Sequence, residues 1–102
     1  MAQGTENEFA LEADLQAAAV RWARAQGWFA RRYKGPGRRS HPDYMFIRRS
    51  VVLWIEFKLP GKEPTELQLK EIREMIAHGA IVYWLDCLED AKAVLAAHAG
   101  PA

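Results

Sequence analysis

The sequence predicts a single α/β domain with a mixed four-stranded sheet flanked by helices. Three observations predict this fold. A helix-period apolar stripe ends before Gly27, two alternating apolar runs lie within residues 42–58, and a continuous apolar run follows Gly79. The expected order is helix, three strands, helix, strand, helix. The second helix can form a right-handed crossover, which would make the last strand parallel to its neighbour in the sheet.

The first helix is predicted to begin at Thr5, where Glu8 occupies the capping-box position, and to end near Gln26. Glu12 lies in the middle of its apolar stripe, and Gln16 lies one turn further along. A carboxylate on a buried face needs a partner, either an arginine in a structural ion pair or a metal ion. Gln16 has two possible roles, as a polar residue that supports such a site or as an ordinary amide on the helix surface. The stripe consists of Phe9, Leu11, Leu15, Ala19, Trp22 and Ala23.

Residues 28–33 alternate apolar and polar side chains, which predicts the first strand. The segment after it contains two glycines and a proline and is predicted to be a loop. Residues 31–49 hold seven basic residues against one acid. This charge suits binding to a DNA backbone, although a solvated charged surface is the alternative. The candidate phosphate contacts are Arg31, Arg32, Lys34, Arg38, Arg39 and His41.

Residues 42–58 are predicted to form a hairpin that turns near Arg49-Ser50. Because strand side chains alternate between faces, one set of the second strand can enter the core while Glu56 and Lys58 project to the other face. Folding back brings Asp43, at the start of the first strand, beside this pair. The side chains expected in the core are Leu53, Ile55 and Phe57.

Two carboxylates and an ammonium group on one small patch form a candidate catalytic site. Asp43 and Glu56 offer the oxygen ligands that Mg²⁺ prefers. A bound cation can lower the pKa of a water molecule and screen a phosphate. Lys58 can orient that water or stabilise the charge that develops on the phosphate. The alternative is an exposed ion pair on a strand, next to an ordinary Pro-Asp turn.

The second half of the chain is predicted to form a loop, a helix, a strand and a closing helix. Lys62 lies in the loop and could reach a phosphate. Thr65 is expected to cap a helix running to about His78, with Gln68 at the capping-box position. The strand at residues 80–85 is expected to be buried on both faces. Residues 88–99 are predicted to form a short, Ala-rich closing helix.

Composition excludes several classes of protein. Cys87 is the only cysteine, so we expect neither an intrachain disulfide nor a cysteine-based metal cluster, and we expect the thiol in the core. The N-terminus lacks the basic and apolar regions of a signal peptide, and residues 1–4 are predicted to be a disordered tail. No apolar run approaches the ~20 residues that span a bilayer. We therefore expect a cytoplasmic protein, not a secreted one.

The spacing of the candidate site residues resembles a nuclease signature. Pro42-Asp43, twelve intervening residues, and then Glu56-Phe57-Lys58 match the PD-(D/E)xK pattern. From about Glu8 to Asp90 the chain is similar to the virus-type replication-repair nuclease module, the VRR-NUC domain, of the stand-alone phage or bacterial type. Ser40 stands where that family usually has a glycine. The further matching positions are Glu12, Gln16, Gln68 and the glycine before the last strand, Gly79.

The resemblance implies a restriction-endonuclease-like αβββαβ core and an endodeoxyribonuclease that depends on Mg²⁺ or Mn²⁺. By position, the catalytic residues would be Asp43, Glu56, Lys58, Glu12 and Gln68. The metal would be held by Asp43, Glu56 and the backbone carbonyl of Phe57, with Glu12 binding directly or through a water molecule.

The resemblance also implies a substrate, an assembly and a location. The location is the cytoplasm of a bacterial or phage-infected cell, in association with the nucleoid. Stand-alone members are associated with branched DNA, such as four-way (Holliday) junctions, and with homodimers. Two alternatives stay open. One is a non-catalytic nucleic-acid-binding module that retains the fold, and the other is a nuclease that acts on linear or flap DNA.

Overall fold

The computed structural model describes residue 9 and residues 11–33 and 41–100. Within these residues the element order and the mixed four-stranded sheet confirm the predicted fold. The predicted tail at residues 1–4 lies outside them. No helix in the described ranges is long and apolar enough to cross a membrane. The elements are α1 (Glu12–Ala25), β1 (Phe29–Arg32), β2 (Tyr44–Arg48), β3 (Val51–Phe57), α2 (Glu66–Ala77), β4 (Ile81–Leu85) and α3 (Leu88–Ala99).

The strand order in the sheet follows the order in the chain, β1-β2-β3-β4. The first two pairings are antiparallel, and β3 pairs with β4 in parallel, with α2 as the crossover. The predicted hairpin turn is confirmed. Arg49 and Ser50 form a two-residue connection between β2 and β3, with φ of 50° and 71°. Positive φ at both central residues is the property of the type I′ turn, which matches the twist of the paired strands.

The core lies between one face of the sheet and the helices α1 and α3. The predicted alternation of β3 is confirmed, because Leu53, Ile55 and Phe57 are each 0% exposed. Phe46 of β2 pairs with Leu53 and is equally buried. Helix α2 packs mainly on β4. Glu56 lies on the opposite face of β3, where its side chain contacts Gln68 in the first turn of α2.

Arg48 joins the ends of two helices to the hairpin. Its Nη1 donates to the carbonyl oxygen of Ala99 at 2.6 Å, and its Nε donates to that of Gln26 at 3.1 Å. Gly27, with φ of 95°, lies against the same guanidinium. These carbonyls belong to the C-terminal ends of α3 and α1, where a cation is favourable. The contact fixes α1 against the sheet, at the opposite end from Asp43.

The predicted start of the first helix is wrong. Helix α1 begins at Glu12, and its N-cap Leu11 is extended and 60% exposed. Thr5 and Glu8, the proposed capping box, lie outside the described residues. The apolar stripe extends beyond the helix because apolar spacing alone does not mark a helix end. The acids Glu12 and Asp14 in the first turn stabilise the observed start.

Two further expectations need correction. Strand β4 is an edge strand, and it is not buried on both faces, because Trp84 is 37% exposed. The helix α2 covers only part of this face, so a continuous apolar run does not here imply a central strand. Cys87 is the half-buried N-cap residue of α3 and does not belong to the core cluster.

Candidate active site

Asp43 lies beside the end of β3, as the predicted hairpin requires. It directly precedes β2, and its backbone carbonyl accepts a hydrogen bond from the Tyr33 N–H at 2.9 Å. Its side-chain Oδ2 accepts from the backbone N–H of Phe57 at 3.2 Å. The antiparallel pairing of β2 and β3 brings the two chain ends together, and the Phe57 contact fixes the carboxylate next to Glu56.

Glu56 is the most deeply buried acid of the described residues, at 2% exposure. Its two oxygens differ in their surroundings. Oε2 accepts from Gln68 Nε2 at 3.0 Å and lies 3.6 Å from Lys58 Nζ. Oε1 is buried and has no hydrogen-bond partner in the described part of the chain. A buried carboxylate oxygen without a donor is costly, so its environment is incomplete without a further ligand.

Lys58 lies just beyond β3 and is held by the sheet. Its backbone N–H donates to the Leu85 carbonyl at 2.9 Å, which extends the parallel pairing with β4. Its side chain is 15% exposed and its ammonium group reaches Glu56. At 3.6 Å this ion pair is longer than a charge-assisted hydrogen bond, so the ammonium can still donate to another group.

Each carboxylate is held by a glutamine from a different helix. Gln16 of α1 donates from Nε2 to Asp43 Oδ2 at 3.3 Å, and it is only 7% exposed. Gln68 of α2 does the same for Glu56. The sequence left Gln16 open between support of the site and a surface amide, and it did not identify the partner. That partner lies 27 residues away in the sequence.

Burial and mutual repulsion make the charges of both carboxylates costly. Burial is the main cause that raises the pKa of Asp43, and the Phe57 hydrogen bond and the charges of Arg32 and Lys58 partly offset it. Burial, followed by the negative charge of Asp43, raises the pKa of Glu56 to about 7. Lys58 opposes that shift without cancelling it.

The residues present fit a divalent metal ion. A cation bound between Asp43 and Glu56 would offset both the burial and the repulsion, and the buried Oε1 of Glu56 would be an available oxygen ligand. Oxygen ligands of this kind suit Mg²⁺ and Mn²⁺.

Glu12 lies near this pair without a side-chain partner among the described residues. It is the first residue of α1 and is half-buried. Its charge contributes to the raised pKa of Glu56, which places its carboxylate within electrostatic range. The alternative, a structural ion pair with an arginine, has no support in the described part of the chain.

The candidate phosphate contacts do not form one uniform surface. Arg31 and Arg32 are both exposed, but they point to opposite faces of β1, and the Arg31 guanidinium lies 4.8 Å from the centre of the Phe29 ring. His41 packs against Tyr33, with 4.8 Å between ring centres. Lys62 is exposed in the loop before α2. Lys34, Arg38 and Arg39 lie outside the described residues.

A second group of potential metal ligands was not predicted. Ligand atoms of Asp86, Cys87 and Asp90 lie within 4.8 Å of one another, at the start of α3. Burial is the main cause that raises the pKa of the Cys87 thiol. Acids at a helix N-terminus are stabilised by the backbone N–H groups there, which accounts for this group without a metal.

Comparison with known proteins identifies a relative and a solved structure to which the chain is similar. No family model matches the chain. The chain is 32% identical over 87 residues to "Putative nuclease p44" of Acyrthosiphon pisum secondary endosymbiont phage 1, which covers 84% of this chain and 92% of the relative. A solved structure described as "VRR_NUC domain" superposes with a TM-score of 0.78. It is 24% identical and covers 85% of this chain and 96% of its own, which establishes the fold.

Proposed function

The chain belongs to the VRR-NUC nuclease family, and we propose that it is a metal-dependent endonuclease that hydrolyses phosphodiester bonds in DNA. One observation carries the proposal. The carboxylate of Glu56 is buried beside that of Asp43 with its Oε1 unpartnered, and Lys58 stands next to it. A buried acid pair with a neighbouring ammonium group suits a metal ion and a negatively charged substrate. A purely structural ion pair between Glu56 and Lys58 would explain neither the presence of Asp43 nor the unpartnered Oε1 of Glu56.

In this proposal Asp43, Glu56 and the backbone carbonyl of Phe57 hold Mg²⁺ or Mn²⁺, with Glu12 binding directly or through a water molecule. When bound, the cation lowers the pKa of a water molecule and screens the charge of the phosphate. Lys58 donates a hydrogen bond to the attacking water or to a phosphate oxygen that gains negative charge. Gln68 holds Glu56 in place.

Binding of the DNA backbone is assigned to the basic residues around the site. Arg32 lies close enough to Asp43 for its charge to lower the pKa of that acid, so a phosphate bound there would lie beside the carboxylates. The other proposed contacts are Arg31, His41 and Lys62, together with Lys34, Arg38 and Arg39 from the segment outside the described residues. Such contacts fix the position of the phosphate and carry no sequence information by themselves.

The finer proposal is a homodimer that cuts branched DNA, such as a four-way (Holliday) junction. The family resemblance supports this substrate, and a two-fold dimer would supply two sites for paired cuts in a two-fold substrate. The proposal treats residues 1–102 as one nuclease domain. The place of action that follows is the cytoplasm of a bacterial or phage-infected cell, at the nucleoid.

A cleavage assay on defined DNA structures tests the proposal. The substrates are a synthetic four-way junction, a linear duplex, a flap and a single strand, each with Mg²⁺, Mn²⁺ or EDTA. We expect metal-dependent symmetric nicks in the junction. The Lys58→Ala and Asp43→Ala proteins should lose at least about 100-fold in rate, because each removes a group that acts on the transition state.

Lys92→Ala is the matched control, because Lys92 pairs with Glu89 on α3 and its charge is not among the causes that shift the pKa of Asp43 or Glu56. It should cleave like the unmodified protein. Unchanged cleavage rates in the Lys58→Ala or Asp43→Ala protein would contradict the proposed mechanism. Cleavage of linear or flap DNA alone would show that the proposed branched substrate is wrong and would keep the mechanism. DNA binding without cleavage would favour a non-catalytic module. Light scattering coupled to gel filtration would show whether the protein is a dimer.

A further inference from the structure

Gln68 makes two kinds of contact at once. Its backbone N–H donates to Thr65 Oγ1 at 3.1 Å, and its side-chain Oε1 accepts from the Thr65 backbone N–H at 2.8 Å. These two bonds are the capping box of α2. The other end of the same amide, Nε2, donates to Glu56 Oε2 at 3.0 Å.

The orientation of this amide follows from its neighbours. The Thr65 N–H can only donate, and an ionised carboxylate can only accept, so both ends require the same arrangement of Gln68. The capping box therefore prevents the amide from turning over. With Gln68 fixed, Glu56 Oε2 accepts its hydrogen bond and forms the ion pair with Lys58, while Oε1 has no partner among the described residues.

We propose that Thr65 is a positioning residue of the active site. Through its backbone N–H, which holds Gln68 Oε1, it determines which oxygen of Glu56 is held by the protein and which is left for a metal ion. This inference rests on the proposed function, since it assigns a role toward the same site. The N-terminus of α2 would then have two roles, to start the helix and to orient Gln68 toward Glu56.

The identity of residue 68 separates the two tasks. Glutamate and glutamine both complete a capping box after threonine. Only glutamine can donate to Glu56, whereas glutamate would place another carboxylate beside an acid that is 2% exposed. The Gln68→Glu protein should therefore keep the cap of α2 and lose the contact with Glu56.

Four variants test the proposal. Thr65→Pro removes both the hydroxyl and the backbone N–H that holds Gln68 Oε1, and the fixed φ of proline suits the observed −69°. Thr65→Ser keeps both contacts. Gln68→Glu keeps the cap and removes the donor. Ala77→Gly is the matched control, because it weakens α2 at its exposed C-terminal end and leaves the Thr65–Gln68–Glu56 contacts in place.

The readouts are Mn²⁺ affinity by titration of the metal-free protein, cleavage rate, and the NMR signals of the Gln68 side-chain amide in EDTA. In Thr65→Pro we expect Mn²⁺ affinity to fall about 10-fold and the Gln68 amide signals to move toward free-amide positions, because the donor to Gln68 Oε1 is lost. In Gln68→Glu we expect a loss of about 10- to 100-fold in affinity and rate, with unchanged helix content. Thr65→Ser and Ala77→Gly should behave like the unmodified protein.

Equal effects of Thr65→Pro and Ala77→Gly would overturn this inference alone, because both would then act only through helix stability. A Gln68→Glu protein with full affinity and rate would overturn it as well. An unmodified protein that neither binds Mn²⁺ nor cleaves any DNA would overturn the proposed function, and the positioning role with it.

Discussion

The Glu56 carboxylate has one oxygen held by Gln68 and Lys58 and the other bare, within a site that water barely reaches. Asp43 adds a second negative charge beside it. Without a cation, the protein therefore holds the Glu56 proton more tightly when folded than when unfolded. The protonation state of this one side chain therefore changes the free energy of unfolding of the whole domain.

We predict that the metal-free protein loses stability as the pH rises from about 4.5 to about 7. Below this window Glu56 is protonated in both states. Within it the unfolded state ionises first, because folding raises the pKa of Glu56 to about 7. Above it the difference is constant, at about 3 kcal/mol. Urea unfolding in EDTA at several pH values measures the change.

Glu56→Gln is the control for that experiment, because it cannot ionise at this position. Its unfolding free energy should lack this part of the pH dependence, so the difference between the two proteins isolates Glu56 from the histidines. A difference that stays constant across the window would contradict the prediction. Added Mn²⁺ should reduce the difference, because binding to the ionised site stabilises the folded state.

The sequence indicates some residues of the site better than others. Asp43, Glu56 and Lys58 follow from the alternation of two strands and one turn, which are local patterns. The burial of Glu56 and the bond from Gln16 to Asp43 depend on how the helices pack, which no local pattern contains. Gln68 is intermediate, because its capping role is visible in the sequence and its contact with Glu56 is not.

At the scale of single elements, the hairpin turn is the least favourable piece of backbone. Arg49 and Ser50 both have positive φ, at 50° and 71°, where side chains with a Cβ are strained. Type I′ turns are usually Asn-Gly for this reason. The turn forms here because the flanking strands pair in register and bury Phe46 against Leu53.

We predict that Ser50→Gly stabilises the protein by about 1 kcal/mol, because glycine adopts positive φ without strain. Ser50→Ala is the matched control, since it removes the hydroxyl and keeps the Cβ, and it should give no gain. Urea unfolding measures both. A gain in Ser50→Ala equal to that in Ser50→Gly would show that the backbone strain is not the cause. The cleavage rate should not change, because the turn lies at the end of the hairpin opposite Asp43.

Elements with a defined chemical boundary are predicted well. The capping box of α2 and the hairpin of β2 and β3 are confirmed because each depends on a few neighbouring residues. The predicted start of α1 is wrong, because the apolar spacing continues through Leu11, which lies before the helix and is extended and exposed. The exposure of β4 could not be predicted, since it depends on how much of the sheet α2 covers.

For the whole molecule, charge is distributed unevenly. Residues 31–49 hold seven basic residues against one acid, whereas the chain as a whole has a net charge of only +1. If the segment binds a DNA backbone, affinity should fall steeply with salt, because each neutralised phosphate releases counterions.

We predict that Arg31→Gln reduces the slope of log affinity against log salt concentration by about 1. Arg73→Gln, on the exposed side of α2, is the control and should leave the slope unchanged. Fluorescence anisotropy with labelled duplex in EDTA measures both without cleavage. Equal slopes for all three proteins would exclude a contact between Arg31 and phosphate.

Strand β1 has a further consequence for the protein in concentrated solution. Within the described residues it pairs only with β2, so one of its edges offers unpaired backbone groups, and Phe29 on the same strand is 46% exposed. Such an edge can recruit strands from other molecules and start aggregation, and charged side chains oppose this. Arg31 and Arg32 thus protect the same strand that is proposed to meet DNA. Neutralising them, by apolar substitution or by an equivalent amount of polyanion at low salt, should turn β1 into an aggregation site.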